Sequence, residues 1–289
     1  MLYPTSDAWR AAPQKRVCLF AMSGLGKTYV SNLLREAGGW FHYSVDYRIG
    51  TRYMDEHIAD NFKAEAMKNP FLRDLLLSDS IYVASNITFE NLAPLSTYLG
   101  KPGDPAKGGL SFAEYQRRQA LHQDAERAAT LDAVRFIDRA EAIYGYPNFI
   151  CDCSGSLCEI VEGGDASDAV LSALAASMLF VWIEGDAAHT ETLIQRFDRE
   201  PKPMCYQPGF LQDAWKTYRD ETGLAEDAVD PDAFVRSAYA RALAHRKPRY
   251  AAMAEWGVTI PGADFETVAS EGDFVEAVAR AIDRKTARA

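Results

Sequence analysis

Short apolar runs alternate with segments of helical spacing along most of the chain. Five such runs, each five to seven residues long, have the length and composition of buried strands, at 17–22, 40–45, 148–152, 177–183 and 256–260. Their continuous apolar character is typical of parallel strands that helices cover on both faces. The pattern therefore predicts an α/β fold of three layers, α/β/α, around a mainly parallel sheet of about five strands.

Helices are predicted between and after these runs, at 29–37, 170–176, 190–197, 210–221, 231–245 and 272–284. The middle of the chain breaks the regular alternation. A helix over 57–77 is interrupted at Asn69-Pro70, residues 80–85 suit a short strand or an apolar helical turn, and 111–144 predicts one long helix. Between residues 85 and 111, the glycine- and proline-rich segment 99–109 predicts a mobile surface loop without an apolar anchor.

A glycine-rich turn between the first strand and the first helix carries the strongest chemical signal. Residues 21–28 read AMSGLGKT, which fits the phosphate-binding loop pattern with alanine at its first glycine. Gly24 and Gly26 can adopt backbone angles that let successive N–H groups face one phosphate, and the following helix adds its positive end. We expect nucleotide phosphates to contact the run from Ser23 through Leu25 to Tyr29.

Two side chains of this turn have specific roles in that prediction. Lys27 is expected to bridge the β- and γ-phosphates and so to act in catalysis, and the Thr28 hydroxyl is expected to ligate Mg²⁺. An apolar run that ends in an acid lies at 148–152, so Asp152 is the second predicted magnesium ligand. Gly155, just beyond it, would let the backbone approach the γ-phosphate or the substrate.

Charged residues follow two other predicted elements. Asp46, Arg48 and Arg52 come directly after the second strand, where ligands bind in open α/β sheets. We expect Asp46 to accept the proton of an acceptor hydroxyl or to help hold Mg²⁺, and the two arginines to bind an anionic substrate group. Arg196 and Arg199 lie near the end of the helix over 190–197 and could neutralise charge on a transferring phosphoryl group.

Composition limits the classes of partner. The chain of 289 residues carries 41 acidic and 31 basic residues, a net charge of −10, which argues against general nucleic-acid binding. No apolar run reaches the roughly 20 residues that span a bilayer, and the first residues lack a secretory apolar segment, so a cytoplasmic protein is expected. Cys151, Cys153 and Cys158 lack a second ligand pair at zinc-site spacing.

The glycine-rich turn, the acids after two strands and the arginine-bearing helix, in their order along the chain, resemble the shikimate, gluconate and adenylate kinase branch of P-loop small-molecule kinases. The turn at 23–28 is similar to that family's nucleotide loop, and Asp46 falls where the family has an acceptor-binding aspartate. The resemblance implies that arginine at 196–199 belongs to an ATP lid, and that the turn before the closing helix borders adenine. Three departures, namely Ala21, a single glycine at 155 and a single acid at 46, argue against shikimate as the substrate.

The combined prediction is an ATP- and Mg²⁺-dependent kinase of a small acceptor. Residues 1–53 and 147–289 would form the nucleotide-binding core with its lid, and 54–146 a helical insertion that binds the acceptor or a partner. Two alternatives remain open. One is an ATPase switch whose insertion binds a protein or other macromolecule. The other is a kinase of RNA ends, with Lys101 and Lys107 guiding a phosphate backbone.

Overall fold

A computed structural model describes residues 2–288 of the chain. Its strands are β1 (Arg16–Phe20), β2 (Trp40–Ser44), β3 (Asn148–Asp152), β4 (Leu179–Glu184) and β5 (Val258–Pro261). Its α-helices are α1 (Ser6–Ala11), α2 (Lys27–Ala37), α3 (Val45–Arg48), α4 (Asp55–Met67), α5 (Pro70–Leu77), α6 (Ala93–Leu99), α7 (Phe112–Tyr144), α8 (Leu157–Ile160), α9 (Ala169–Ser177), α10 (Ala187–Arg199), α11 (Pro208–Thr222), α12 (Pro231–Ala254), α13 (Gly262–Glu266) and α14 (Glu271–Thr286). A π-helical turn lies at Ile49–Tyr53, and 3₁₀ turns lie at Pro105–Lys107 and Glu226–Ala228.

The five strands form one sheet in the order β2-β3-β1-β4-β5, and every neighbouring pair is parallel. Successive residues of β1, β3 and β4 are buried, and successive side chains of a strand point to opposite faces, so both faces of the sheet are covered. The predicted α/β class and the predicted parallel sheet of about five strands are thus confirmed.

The strand order places the end of β1 where the winding direction of the sheet reverses. The chain leaves β1 toward β2 on one side and leaves β4 toward β5 on the other, while β1 and β4 are direct neighbours. In open α/β sheets, ligands bind in the crevice at the carboxyl ends of strands where the winding direction reverses. The glycine-rich turn that follows β1 therefore lies at the expected ligand position.

The chain divides into two compact units, each built from separate segments. The first unit contains the sheet and comprises Met1–Val45, Glu126–Pro201 and Arg236–Ala289; the second comprises Asp46–Ala125 and Lys202–Val235. The predicted insertion at 54–146 shares residues 54–125 with the second unit. Residues 46–53 and 202–235 also belong to the second unit, whereas 126–146 belong to the first.

The segment 99–109 of the second unit, predicted as a mobile surface loop without an apolar anchor, makes two ion pairs. The ammonium of Lys101 lies 2.6 Å from a carboxylate oxygen of Asp232, and that of Lys107 lies 2.8 Å from Asp230. Aspartates more than 120 positions away along the chain fix both lysines, and no local sequence pattern signals such a contact.

Two further local features differ from the sequence analysis. Residues 80–85, predicted as a short strand or a helical turn, form neither. The short helix α1 was not predicted. Its start nevertheless has a recognisable cap, in which the Thr5 hydroxyl accepts the Ala8 N–H at 3.1 Å.

Within residues 2–288, no helix combines the length and apolar character needed to cross a membrane.

Candidate functional site at the end of strand β1

The turn between β1 and α2 is shaped by two glycines. Gly24 has φ of +81° and Gly26 has φ of +78°, values that residues with a side chain rarely adopt. Gly26 immediately precedes Lys27, the first residue of α2. The glycines thus allow the turn that the sequence predicted, with its second half merging into the helix N-terminus.

The backbone N–H groups of this turn form an unusual run. Within the described residues, none of the N–H groups from 23 to 29 donates a hydrogen bond to the protein, and the first that does is Val30, to the Gly26 carbonyl at 3.0 Å. Seven successive free donors at the start of a helix, whose dipole is positive at this end, suit an anion. The predicted contact residues, from Ser23 to the exposed Tyr29, all lie in this run.

Lys27 lies against the turn that precedes it. The residue is buried, and its ammonium donates to the Ala21 carbonyl at 3.2 Å. An ammonium has three donors, so two remain for an anion beside the turn. Ala21, at the position of the expected first glycine, is itself fully buried.

The two predicted magnesium ligands meet in the structure. The hydroxyl of Thr28 donates to the carboxylate of Asp152 at 2.7 Å, and Asp152 is buried at the end of β3. His42 Nε2 lies 3.7 Å from the same carboxylate. A hydroxyl and a carboxylate are hard oxygen ligands of the kind that Mg²⁺ takes one or two of from a protein, so the residues present fit this ion.

The loop after β3 approaches the glycine-rich turn closely. A Cβ atom on Gly155 would lie only 2.9 Å from the Ser23 hydroxyl oxygen, so a side chain there would force this hydroxyl to move. The N–H groups of Ser154 and Gly155 have no acceptor within the described residues. The predicted substrate residue Gly155 therefore lies beside the predicted phosphate-binding residues.

A buried polar network from helix α12 holds both loops. The Tyr250 hydroxyl lies 2.6 Å from the Gly155 carbonyl and 3.2 Å from the Ala21 carbonyl. Burial raises the pKa of Tyr250, so the phenol stays protonated and donates. Arg246 donates to the same Gly155 carbonyl at 3.3 Å and to Glu159 at 2.6 Å. Sequence analysis missed this network because its partners lie far apart along the chain.

Helix α10 lies next to the glycine-rich turn. His189 Nε2 lies 3.2 Å from the Ser23 carbonyl oxygen, and a Cβ on Gly24 would lie 3.7 Å from a terminal nitrogen of Arg196. The guanidinium of Arg196 thus lies near the turn, and its role as a lid residue stays a prediction. Arg199 is the last residue of the helix and is exposed.

A cavity of about 350 Å³ lies beside the turn, at the ends of β4 and β5. Leu25 and Gly262 contribute apolar surface and backbone to it, and Glu184, His189 and Lys247 contribute polar side chains. Residue 262 belongs to the segment before the closing helix, where the family resemblance implied an adenine contact. A mixed apolar and polar lining of this kind suits a heteroaromatic ring.

The remaining predicted site residues belong to the second unit. Asp46 and Arg48 lie on the short helix α3 directly after β2, and Arg52 is an exposed residue of the following π-helical turn. The guanidinium of Arg48 lies 5.8 Å from the centre of the Tyr53 ring. Their proposed substrate contacts remain predictions that rest on the position after β2.

Comparisons with known proteins give no further guide to the site. No family model matches the chain, and no curated protein and no solved structure matches it. The chemistry of the site therefore rests on the residues and their geometry.

Proposed function

We propose that this protein is an ATP- and Mg²⁺-dependent phosphotransferase with a P-loop NTPase fold of three layers. The observation that carries the proposal is the coincidence of three features at the end of β1. These are the run of free N–H groups at 23–29, the Lys27 ammonium, and the contact between Thr28 and Asp152. Each feature alone is common, but together they supply what a nucleotide triphosphate and its metal require.

The proposed mechanism is one of positioning and charge neutralisation, since phosphoryl transfer needs little covalent help from the protein. The N–H groups hold the phosphates, and Lys27 neutralises charge between the β- and γ-phosphates. Thr28 and Asp152 would hold the ion, which supplies charge stabilisation on the phosphate oxygens. Arg196 lies near enough to the turn to act on the transferring group, and Arg199 would join it from the helix end.

ATP is the nucleotide we propose, with the cavity beside Leu25 as the position of its base. The sequence contains no guanine-recognition motif of the NKxD type. The polar side chains of the cavity, among them Glu184, offer hydrogen-bond partners for an amino group.

A small, anionic acceptor is proposed in preference to a macromolecule. Lys101 and Lys107, which favoured an RNA substrate in the sequence, are each paired with an aspartate of the second unit. Their charge is therefore offset before any phosphate backbone is present. An ATPase with a protein partner would share the same turn and metal ligands, so activity measurements must separate it from a kinase.

The first experiment tests nucleotide binding through Lys27→Ala. Without the ammonium we expect Mg·ATP affinity to fall by roughly 100-fold, the effect of losing about 3 kcal/mol from a charge-assisted contact. Isothermal titration calorimetry measures the change. Lys68→Ala is the matched control, because Lys68 is exposed and, within residues 2–288, pairs only with Glu65 in the last turn of the preceding helix α4. Equal affinity of Lys27→Ala and wild type would overturn the proposal.

The second experiment tests phosphoryl transfer with a panel of metabolites that carry a hydroxyl and an acidic group. A kinase releases ADP only when an acceptor is present, whereas an ATPase switch releases it with every acceptor alike. For Asp46→Asn we expect normal Mg·ATP binding and acceptor-dependent turnover at least about 100-fold lower, as for loss of a general base. Full turnover by this variant would remove Asp46 from the mechanism.

A further inference from the structure

Three cysteines of the first unit share one face of the sheet. Cys18 on β1 is the register partner of Cys151 on β3, and Cys153 follows two positions later, on the same side. The backbone of Cys153 is still tied to β1, because its N–H donates to the Leu19 carbonyl at 3.0 Å. The structure thus groups Cys18, rather than Cys158, with Cys151 and Cys153.

The sulfur atoms of these residues are in close contact. The Sγ atoms of Cys18 and Cys153 are 3.1 Å apart, those of Cys151 and Cys153 are 3.8 Å apart, and all three lie within 4.8 Å of one another. Cys153 lies two positions beyond the register partner of Cys18, a displacement of about 7 Å along the strand, so their Cα atoms are farther apart than the about 4.4–6.8 Å found in disulfides. Closing the 3.1 Å contact between their sulfur atoms into a disulfide therefore requires a movement of the backbone at Cys153.

The surroundings favour a neutral product at this position. The three side chains are buried, Cys18 and Cys151 completely and Cys153 at 2% exposure. Three thiolates around one divalent cation would leave a net negative charge in the core, which is costly to bury. A disulfide carries no charge, so the same environment accepts it.

We propose that Cys18 and Cys153 form an oxidative modification site, a disulfide across β1 and β3 that forms with hydrogen peroxide. The Cys153 sulfur, just beyond the end of β3, attacks the peroxide O–O bond, becomes a sulfenic acid and releases water. The Cys18 thiol then attacks that sulfur, the S–OH bond breaks, and a second water leaves. Two thiols lose two electrons in total, and one peroxide becomes two waters.

The disulfide acts on the site that the proposed function assigns, and this second part of the inference rests on that function. Asp152 lies between Cys151 and Cys153, and its carboxylate accepts the Thr28 hydroxyl. Drawing the Cys153 sulfur toward Cys18 turns the backbone next to Asp152 and separates this pair. The oxidised protein then binds Mg·ATP more weakly, by about tenfold, and a dithiol reductant restores binding.

The test begins with the full-length wild-type chain, treated with peroxide at neutral pH. We expect free thiols, counted after denaturation, to fall from five to three, with one Cys18–Cys153 disulfide in a non-reducing peptide map. Five remaining thiols, a disulfide at another pair, or a metal ion released from the three thiols by acid would each overturn the assignment. Cys153→Ala should retain all its remaining thiols, Cys18→Ala should lose one thiol as a sulfenic acid without forming a disulfide, and Cys205→Ala, the control, should still lose two.

Mg·ATP affinity is then measured for the reduced, oxidised and re-reduced chain. A reversible loss of about tenfold supports the regulatory part, and an unchanged affinity with the disulfide present overturns it. If the reduced chain fails to bind Mg·ATP, the proposed function fails, while the peptide map still decides the disulfide. The two failures are therefore distinguishable.

Discussion

Thr28 and Asp152 form the contact on which the metal assignment depends. In the structure, the hydroxyl donates directly to the carboxylate at 2.7 Å. Both groups are also typical ligands of Mg²⁺, so an arriving ion would replace a hydrogen bond that already holds the two oxygens close together. The pair is thus preorganised, which reduces the cost of ordering these side chains when the metal binds.

Thr28→Val tests this assignment because valine keeps the shape of threonine and removes only the hydroxyl. We expect ATP to bind with the same affinity in magnesium and in EDTA, since the metal-dependent gain depends on the lost ligand. Thr28→Ser should restore the gain, because serine keeps the hydroxyl. Calorimetric titration with and without Mg²⁺ measures both. A magnesium gain of wild-type size in Thr28→Val would show that the ion, if any, is held elsewhere.

At the scale of elements, helix α12 connects the loops after β1 and β3. Arg246 and Glu159 form a buried ion pair at 2.6 Å, and Tyr250 bridges the carbonyls of Ala21 and Gly155. Neither loop has a regular hydrogen-bond ladder of its own at these positions. Their relative position is therefore set by one helix, through the buried side chains of Arg246 and Tyr250.

Replacing Arg246 should lower the free energy of unfolding far more than replacing an exposed arginine. Arg246→Ala leaves the Glu159 carboxylate buried without its main partner, so we expect the free energy of unfolding to fall by about 3–5 kcal/mol. The control is Arg10→Ala, which breaks an exposed pair with Glu276 and should lower the free energy of unfolding much less. Urea unfolding of the three proteins measures the difference. Similar losses for both variants would contradict the structural role of the network.

Local patterns predicted the strands, the long helix and the glycine-rich turn because each is encoded by neighbouring residues. Apolar runs mark buried strands, and the spacing of α7 is visible over its whole length. Contacts made at long range were not predictable in this way. Tyr250 meets Ala21 from 229 positions away, and Lys101 meets Asp232 from 131 positions away. A single sequence carries no periodic signal for such partners.

At the scale of the whole molecule, global stability should depend on pH through His122. Burial lowers the pKa of this imidazole to about 4, below its usual value of 6.5. The unfolded chain therefore binds a proton between these two values that the folded chain does not. The contribution of neutral His122 is complete above pH 6.5 and is lost as the pH falls toward 4.

We expect the free energy of unfolding to be about 1 kcal/mol lower at pH 5.5 than at pH 7.5 because of this residue. Urea unfolding at both values measures the change. The control is His122→Gln, which has a similar polar side chain but no titrating group in this range. A variant with the same pH dependence as wild type would show that the proton uptake occurs at another group.

The contact between α1 and α14 has a consequence for synthesis of the chain. The indole N–H of Trp9 donates to the Val275 carbonyl at 2.8 Å, and these residues are 266 positions apart. A ribosome adding about 5–20 residues per second needs about 10–50 s between them. For that time the large apolar ring of Trp9 has no native partner on α14. Until α14 is synthesised, the Trp9 ring therefore lacks the cover that this helix provides, and apolar surface of this kind is what chaperones bind.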